Sequence, residues 1–249
     1  MRLAVVGASG RMGEAVLRVV AGYPDIEVVC RVSEGDDVAT LAASGAEVAI
    51  DFSSPIATCR LAEIAPAAKC AIVTGTTGLD AYAATALDEA SQSVAVFAAA
   101  NMSIGVEVLR TLVAAASAML GPEFDVEIVE AHHRKKVDAP SGTALAIAES
   151  VRAVHRHHAL VHGREGRPGA RPAAEIGMHA IRGGDVIGDH TAFFFGDGER
   201  IELTHRASNR DLFARGAVRA ARWVARMPPG RYGMSDLVKM PFSDRARPT

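Results

Sequence analysis

The sequence predicts an α/β fold in which two domains of different architecture follow one another. In the first part of the chain, short apolar runs alternate with helix-like segments, which is typical of a parallel sheet covered by helices. A glycine-rich turn directly follows the first of these runs. After residue 175 the chain instead shows short strand-like stretches broken by glycine pairs, as in an antiparallel sheet.

The N-terminal strand leads into the glycine-rich turn. Apolar residues 3–6 precede the sequence GASGRMG at residues 7–13, and a helical pattern continues through residue 20. A strand, a glycine turn and a helix in this order place a pyrophosphate on the helix N-terminus. The G-x-x-G-x-x-G spacing departs from the commonest G-x-G-x-x-G, and a tight structural turn is the alternative. We interpret the segment as the opening of a Rossmann-like dinucleotide-binding domain.

Further apolar runs at residues 26–32, 48–52, 71–74 and 94–98 extend the predicted parallel sheet. Two of them end in polar, backbone-rich loops, GTTG at 75–78 and AANMS at 99–103. In an open α/β sheet the ligand lies beyond the carboxyl ends of the strands. Both loops are therefore candidates to hold the nicotinamide end of a dinucleotide.

The densest cluster of chemically active residues is EAHHRKKVDAPSGTA at residues 130–144. An alternating strand pattern before it and an alanine-rich segment after it predict a strand-to-helix loop. With Ser141 as N-cap, the backbone N–H groups of the first helical turn form an anion site. His132, His133 and Lys136 add groups that exchange protons. The pattern favours a small acidic substrate that must be protonated; a basic surface loop beside a capped helix is the alternative.

The second half predicts a mixed α+β domain. Strand-like stretches cover residues 176–181, 185–187, 190–195 and 200–207, and residues 163–172 form a loop. The run Phe193-Phe194-Phe195 suggests a strand buried on both faces. A helical pattern returns from 211 to 227.

Composition excludes several classes of function. The formal net charge of -2 leaves no nucleic-acid footprint, and no apolar run is long enough to span a bilayer. The N-terminus lacks a signal-peptide pattern, so we expect a cytoplasmic protein. The cysteines at 30, 59 and 70 are expected to be reduced thiols in a core or on a helix. The histidines at 155, 157, 158 and 162 are expected to be solvated, and no metal site is predicted.

Four motifs together carry a resemblance to a known family. G-x-x-G-R-M-G, G-T-T-G, A-A-N-x-S-x-G-V and E-x-H-H-x-x-K-x-D-A-P-S-G-T-A resemble, in this order along nearly the whole chain, the bacterial dihydrodipicolinate reductases. The resemblance implies reduction of a cyclic, unsaturated dicarboxylate with NADH or NADPH to tetrahydrodipicolinate, on the diaminopimelate route to lysine. It further implies a homotetramer built on the sheet of the second domain.

The resemblance also implies roles for individual residues. His132 and Lys136 would be the catalytic acid residues, and His133, Gly142 and Thr143, beside the capping Ser141, would bind the substrate carboxylates. The cofactor-binding residues would be Gly7, Ala8, Ser9, Gly10, Arg11, Met12, Gly75, Thr76, Thr77, Ala99, Ala100, Asn101 and Met102. The dinucleotide-binding domain would comprise residues 1–103 and 216–249, and the substrate-binding and tetramerisation domain residues 104–215.

The residues themselves leave two questions open. Either His132 or Lys136 could supply the proton as hydride reaches the ring. Ser33 at the end of the second strand, with Arg11 and Arg31 nearby, favours NADPH slightly, whereas Glu34 turned towards the ribose would favour NADH. The alternative functions are another nicotinamide-dependent reductase of a small dicarboxylate or imine, and a non-catalytic protein that senses NAD(P)H.

Overall fold

The structure is a computed structural model that describes residues 1–156 and 158–239. It divides into two compact units. The first comprises Met1–Ile104 and the described residues from Arg210 onward, and the second comprises Gly105–Asn209. The first unit is a parallel sheet covered by helices and the second is a mixed sheet with helices, so the predicted α/β fold class is confirmed.

The described residues contain eleven strands and eight α-helices. The strands are β1 Arg2–Val6, β2 Glu27–Val32, β3 Val48–Asp51, β4 Ala71–Thr74, β5 Ala95–Ala98, β6 Asp125–His132, β7 Ala159–His162, β8 Glu175–Arg182, β9 Gly188–Gly196, β10 Glu199–Ala207 and β11 Gly230–Tyr232. The helices are α1 Arg11–Val20, α2 Leu41–Ser44, α3 Pro55–Ala68, α4 Ala81–Ser91, α5 Ile104–Leu120, α6 Gly142–Arg152, α7 Asp211–Val224 and α8 Met234–Val238. A short 3₁₀ helix, Val38–Thr40, precedes α2.

The sheet of the first unit has six parallel strands in the order β11-β5-β4-β3-β1-β2. Because β1 lies between β2 and β3, the chain builds the sheet in opposite directions from this point. In such sheets a ligand crevice forms outside the carboxyl ends of the strands where the order reverses. The loops after β1 and β3 therefore occupy the expected position of a nucleotide site.

Both faces of this sheet are buried, which explains its nearly continuous apolar strands. Leu3 and Val5 of β1 belong to one core cluster with α1 and α7, while Ala4 and Val6 belong to the other with α3 and α4. Side chains alternate between faces along a strand, so the inner strands β1, β3, β4 and β5 need apolar residues at most positions. Each fully buried Val or Leu contributes roughly 1.5–3 kcal/mol.

The second unit contains a five-stranded sheet in the order β10-β9-β6-β8-β7. β9 pairs antiparallel with both β10 and β6, whereas β8 pairs parallel with both β6 and β7. The purely antiparallel arrangement expected for the later strands is therefore wrong for β8. The reason is that two crossovers follow β6: α6 leads to β7, and residues 163–174 then carry the chain back so that β8 runs parallel to both β7 and β6.

One further expectation for this sheet is wrong, and another is not met within the single chain. Residues 185–187 are not a strand, because residues 183–187 carry the chain from β8 on one side of β6 to β9 on the other. The triple phenylalanine is not buried on both faces within the chain: Phe194 is 1% exposed, but Phe195 is 36% exposed. Phe193 and Phe195 stack on the opposite face, with ring centroids 5.7 Å apart.

Residues 155–162 agree only in part with the prediction of solvated histidines, because His162 is exposed but His155 and His158 are half-buried. His155 is half-buried and its Nε2 lies 3.1 Å from the Ser117 carbonyl oxygen, while His162 lies in β7, a short strand that the sequence did not indicate. His157 lies outside the described residues. Within the described part of the chain, no group of three or more His, Cys, Asp or Glu side chains is arranged to hold a metal ion.

The three cysteines are free thiols, with Cys30 half-buried and Cys59 and Cys70 buried. Burial raises the pKa of the Cys70 thiol to about 12, so this thiol stays protonated at neutral pH.

No helix in the described ranges is both long and apolar enough to cross a membrane.

Gly216 of α7 provides a test of the packing in the first unit. A Cβ there would lie 1.8 Å from the Met102 carbonyl oxygen, whereas a Cβ at Gly22 would meet its nearest neighbour, the Val19 carbonyl oxygen, at 3.5 Å. We expect Gly216→Ala to lower the free energy of unfolding by about 1–3 kcal/mol, because the backbone must move to admit the methyl group. Gly22→Ala, the matched control, should change it by less than about 0.5 kcal/mol. Urea denaturation measures both; equal effects would contradict the packing argument.

Candidate active site

Strand β6 delivers two functional side chains to one face of the second unit's sheet. Val126 and Ile128 lie in the hydrophobic core, and the same alternation places Glu130 and His132 at the end of the strand, 1% and 8% exposed. Glu130 accepts hydrogen bonds from His132 Nδ1 at 2.6 Å and from both Arg182 Nη atoms at 2.7 and 2.6 Å. The Ser141 backbone N–H completes the set at 3.0 Å.

The charges of this cluster follow from these contacts. Burial raises the pKa of Glu130, but the hydrogen bonds from Arg182 and His132 outweigh burial and hold this pKa below its usual range. Burial lowers the pKa of His132, and the bond to Glu130 opposes this effect only in part. At neutral pH Glu130 is therefore a carboxylate and His132 is mainly neutral. Since a carboxylate only accepts, the proton of His132 lies on Nδ1 and leaves Nε2 as an acceptor.

The loop between β6 and α6 is anchored around this cluster. Arg182 Nη2 donates to the Asp138 carbonyl oxygen at 2.7 Å, and the Gly183 N–H donates to the His132 carbonyl oxygen at 3.0 Å. Lys136 is held by the loop itself, with Nζ 2.8 Å from Asp138 Oδ1. The charge of Lys136 also lowers the pKa of His132, so the two predicted catalytic residues act on each other electrostatically.

The N-terminus of α6 is open to an anion. Ser141 is the N-cap, and its Oγ accepts from the Ala144 N–H at 3.1 Å, as predicted. Gly142 is exposed, and a Cβ there would meet nothing within 4 Å. Thr143, which follows it, and His133 of the preceding loop are half-buried. Backbone N–H groups and the helix dipole make this end of the helix suitable for a carboxylate.

His190 of β9 is a member of the site that the sequence did not indicate. It is 3% exposed, its ring lies edge-on to that of His132 with centroids 5.1 Å apart, and its Nε2 lies 3.1 Å from Ser141 Oγ. Burial, and then the charge of His132, lowers the pKa of His190 to about 4. His190 is therefore neutral at neutral pH and supports the cap residue of α6 without adding charge.

Sequence reasoning also missed Glu130 and Arg182. Glu130 stands at the start of the motif and two residues from His132, so strand alternation could have placed both on one face. Arg182 and His190 come from β8 and β9, and only the pairing of those strands with β6 brings them to the site. No local pattern in the sequence predicts that β8 and β9 pair with β6.

The glycine turn of the first unit fits a dinucleotide. The N–H groups of Gly7 and Ala8 donate to the Val32 carbonyl oxygen at 2.8 and 2.9 Å, which ties the turn to β2. A Cβ at Gly13 would lie 2.1 Å from the Gly7 carbonyl oxygen, so only glycine lets α1 pack this close to β1. Gly10 is the N-cap of α1 and provides no side-chain cap, which leaves the first turn open to a phosphate.

The remaining predicted cofactor residues differ in what they offer. Ser9, Arg11, Thr77 and Ala100 are exposed, and Met12, Gly75, Ala99 and Asn101 are half-buried. Met102 is 1% exposed and Ala8 is 5% exposed, and both side chains belong to the hydrophobic core, so only their backbones are available to a ligand.

The predicted ribose site lies in a turn after β2. The Ser33 N–H donates to Asp36 Oδ2 at 2.8 Å, and the Asp36 N–H donates back to the Ser33 carbonyl oxygen at 3.1 Å. Gly35 takes the positive φ of 89° that the turn requires, and Glu34 is exposed. Asp36, which the sequence did not indicate, therefore accepts the hydrogen bond of the Ser33 N–H, so this donor is already used within the turn.

The loops after β3 and β4 meet at a buried carboxylate. Asp51, at the end of β3, is 0% exposed and accepts from the hydroxyls of Thr58, Thr74 and Thr76. Its backbone carbonyl accepts from the Gly75 N–H at 2.9 Å. The Phe52 ring fills the space beside Gly75, where a Cβ would lie 2.1 Å from it. Gly75 and Thr76 were predicted as cofactor-binding residues, but no pattern in the sequence indicated Asp51.

A parallel sheet with an open glycine turn, and a histidine–lysine site at a helix N-terminus, define the chain as a nicotinamide-dependent oxidoreductase. Two family models, described as the N-terminus and the C-terminus of dihydrodipicolinate reductase, match residues 1–102 and 105–238. The chain belongs to the dihydrodipicolinate reductase family, and the resemblance predicted from its motifs is confirmed.

Relatives of this family align over nearly the full chain. The 4-hydroxy-tetrahydrodipicolinate reductase of Myxococcus xanthus is 44% identical over 264 aligned positions, covering 96% of this chain and 97% of that protein. That of Akkermansia muciniphila is 46% identical over 237 positions, covering 94% of this chain and 96% of that protein.

Solved structures share the fold. The dipicolinate-bound dihydrodipicolinate reductase from Paenisporosarcina sp. TG-14 has a TM-score of 0.79 at 24% identity, covering 95% of this chain and 98% of that chain. The C. glutamicum DAP dehydrogenase in complex with DAP has a TM-score of 0.59 at 14% identity, covering 98% and 97%.

The lowered pKa of His190 predicts a pH dependence of stability. Between its usual pKa of 6.5 and about 4, the unfolded chain binds a proton at this position that the folded chain does not. The protein should therefore lose stability as pH falls through this window, with His190 contributing at most about 3.5 kcal/mol. Urea denaturation between pH 7 and pH 4 should show a shallower decline for His190→Gln. His162→Gln, at an exposed histidine of β7, should keep the wild-type decline; equal slopes for the two variants would contradict the assignment.

Proposed function

We propose that the protein reduces 4-hydroxy-tetrahydrodipicolinate to tetrahydrodipicolinate with NADPH or NADH and releases water, as a step in lysine and diaminopimelate synthesis. The observation that carries the proposal is the arrangement of two side chains in the segment that leads to the open N-terminus of α6: Glu130, itself bound by Arg182, holds His132, and Asp138 holds Lys136. Such a site both binds a carboxylate and exchanges protons. Relatives 44% and 46% identical over almost the whole chain carry the name of this activity.

The first unit would hold the cofactor. The open first turn of α1 and the glycine turn before it suit the pyrophosphate, and the loops at residues 75–77 and 99–102 suit the nicotinamide half. When bound, the reduced nicotinamide supplies the hydride.

The second unit would hold the substrate by its two carboxylates. One is suited to the N–H groups at Gly142 and Thr143, where the exposed glycine leaves open space. The other is suited to the side of the loop that carries the Lys136 ammonium and the His133 imidazole. Holding both carboxylates fixes the ring and so selects the carbon that receives the hydride.

The charge states of the site suggest separate roles for His132 and Lys136. Lysine ammonium carries three donors, and Asp138 engages Nζ from one side, so Lys136 can donate a proton to the leaving 4-hydroxyl, which departs as water. His132, with Nε2 unprotonated, can take the proton from the ring carbon between the imine carbon and the hydroxyl-bearing carbon. It can return this proton to the same carbon when hydride reaches the adjacent carbon that lost the hydroxyl. The sum consumes one hydride and one proton and releases one water.

The activity assay tests this proposal directly. Substrate made in situ from pyruvate and aspartate semialdehyde by the preceding synthase is supplied, and oxidation of NADPH or NADH is followed by absorbance. We expect Lys136→Ala and His132→Ala each to lower kcat by about 10²-fold or more, because each removes a proton-transfer group. Lys135→Ala, at the exposed neighbouring lysine, should change kcat by less than about twofold.

Three outcomes of this assay would point elsewhere. Equal losses of kcat in Lys135→Ala and Lys136→Ala would show that the loop only attracts anions through its overall charge and that Lys136 has no specific role. Folded wild-type protein that oxidises neither cofactor with this substrate, but does so with another dicarboxylate or imine, would be a different reductase. Wild-type protein that binds the cofactor but oxidises it with none of the substrates supplied would be a non-catalytic sensor.

Cofactor preference depends on the turn after β2. Ser33, with Arg11 and Arg31 nearby, favoured NADPH in the sequence analysis. In the structure Asp36 accepts a hydrogen bond from the Ser33 N–H, so its carboxylate would lie next to the proposed ribose position. A carboxylate there repels a 2′-phosphate. We therefore propose that both cofactors are used and that Asp36 weakens NADPH relative to NADH.

Replacement of Asp36 tests this balance. Asp36→Asn should lower the KM for NADPH about three- to tenfold relative to the KM for NADH, since one negative charge is removed. Glu89→Gln removes an equal charge from the exposed face of α4 and should leave the ratio of the two KM values unchanged. An unchanged ratio in Asp36→Asn would show that this carboxylate does not face the cofactor.

The stacked Phe193 and Phe195 support a further proposal about assembly. They lie on the sheet face opposite the hydrophobic core, and Phe195 remains 36% exposed in the single chain. We propose that other copies of the chain cover this face, in the homotetramer that the family resemblance implies.

A further inference from the structure

Asp51 is a buried carboxylate without a cationic partner. It is 0% exposed, and within residues 1–156 and 158–239 no Lys, Arg or His side chain forms an ion pair with it. Its Oδ2 accepts from the hydroxyls of Thr58 at 2.6 Å, Thr74 at 2.8 Å and Thr76 at 3.1 Å. Its Oδ1 accepts from the Ser53 N–H at 3.0 Å and from the Ser53 hydroxyl.

Five donors and a helix end explain how the charge is tolerated. Burying a carboxylate is unfavourable unless its lone pairs are fully used, and here they are. Ser54 is the N-cap of α3, so the positive end of the α3 dipole also faces this region. Packing alone does not explain the carboxylate, because an apolar side chain of similar size fills the same volume without the desolvation free energy of a buried charge.

The donors show what the carboxylate connects. Ser53 belongs to the loop after β3, Thr76 to the loop after β4, and Thr58 to α3. Thr76 Oγ1 also accepts from the Ser53 N–H at 3.1 Å, and the Thr76 N–H donates to Thr74 Oγ1 at 3.2 Å. The backbone around Thr76 is therefore held from several directions at once.

The same contacts extend to the glycine turn after β1. Phe52 lies between them: a Cβ at Gly75 would lie 2.1 Å from its ring, and a Cβ at Gly7 would lie 2.5 Å from its carbonyl oxygen. The Ala99 N–H donates to the Thr74 carbonyl oxygen at 3.1 Å, which adds the loop after β5. The loops that follow β1, β3, β4 and β5 thus share one set of contacts, and Asp51 lies beneath them where the strand order reverses.

We propose that Asp51 is a positioning residue for the nicotinamide cofactor, acting through Ser53 and Thr76 to fix the loops at the carboxyl ends of β3 and β4. The inference rests on the proposed use of NADPH or NADH by this chain. Asp51 itself is buried below the loops and touches neither cofactor nor substrate. Its effect is on the affinity for the cofactor, because loops that are already ordered bind with a smaller loss of entropy.

Asp51→Asn provides the main test. The amide keeps the shape but places two N–H donors among hydroxyl and N–H donors, so at least part of the cage must break. We expect the dissociation constant of NADPH and of NADH to rise about tenfold, measured by fluorescence titration of the full-length protein. The kcat at saturating cofactor should stay within about threefold of wild type, because no proton-transfer group has changed.

Thr58→Val is the matched control. It removes a donor to the same carboxylate oxygen, but from α3 rather than from a cofactor loop. It should lower the thermal stability and leave the cofactor dissociation constant within about twofold of wild type. Should Asp51→Asn fail to fold, Thr74→Val serves in its place, since Thr74 links Asp51 to the Thr76 backbone; we expect a rise of about three- to fivefold.

The outcomes separate this inference from the proposed function. Wild-type protein that binds neither NADPH nor NADH would overturn the function and the inference together. Wild-type binding that is unchanged in folded Asp51→Asn would overturn the inference alone. Equal losses of affinity in Asp51→Asn and Thr58→Val would also overturn it, because they would reflect general loosening of the unit.

Discussion

The candidate active site depends on the hydrogen bonds of one carboxylate, that of Glu130. It accepts from His132, from both Nη atoms of Arg182 and from the Ser141 backbone, and so joins β6, β8 and the start of α6. A buried carboxylate with one partner removed leaves a costly unpaired charge, so the four contacts stabilise one another. The proton position of His132 and the direction of the α6 N-terminus are both fixed by this single group.

The first unit uses a comparable arrangement with different donors. Asp51 is surrounded by hydroxyls and one backbone N–H instead of a guanidinium. Hydroxyl donors can rotate, and they bring no net charge to the floor of a crevice suited to a pyrophosphate. In both units, therefore, a carboxylate at the end of a strand orders the loops around it, and the partners match the charge that the neighbouring site requires.

The sequence predicted what depends on local pattern. The strands at 26–32, 48–52, 71–74 and 94–98 appear within a few residues of their expected positions. The last three have a strong apolar signal because they are buried on both faces. Ser141 was recognised as a cap from its position before an alanine-rich helix. The short strands β7 and β11 escaped notice, since each has only three or four residues and no fully buried side chain.

What the sequence could not supply depends on contacts between distant segments. Arg182 and His190 reach Glu130 and Ser141 only because β8 and β9 pair on opposite sides of β6. The parallel direction of β8 follows from the crossovers through α6 and through residues 163–174, which glycine-rich breaks alone do not reveal. Asp51 is one acidic residue among many in the sequence, and its isolation from cations is a property of the folded unit.

The glycines of this chain are constrained either by packing within the fold or by the proposed ligand, and Gly142 belongs to the second group. At Gly13 and Gly216 a side chain would strike backbone at 2.1 and 1.8 Å, so the fold itself requires glycine there. At Gly142 a side chain would meet nothing within 4 Å, so the chain's own packing places no demand on that position. A lineage that kept this architecture but abandoned the proposed carboxylate ligand would be free to change residue 142 and not residues 13 or 216. The residue found at 142 in a descendant would therefore report on its chemistry, while the other two report only on its fold.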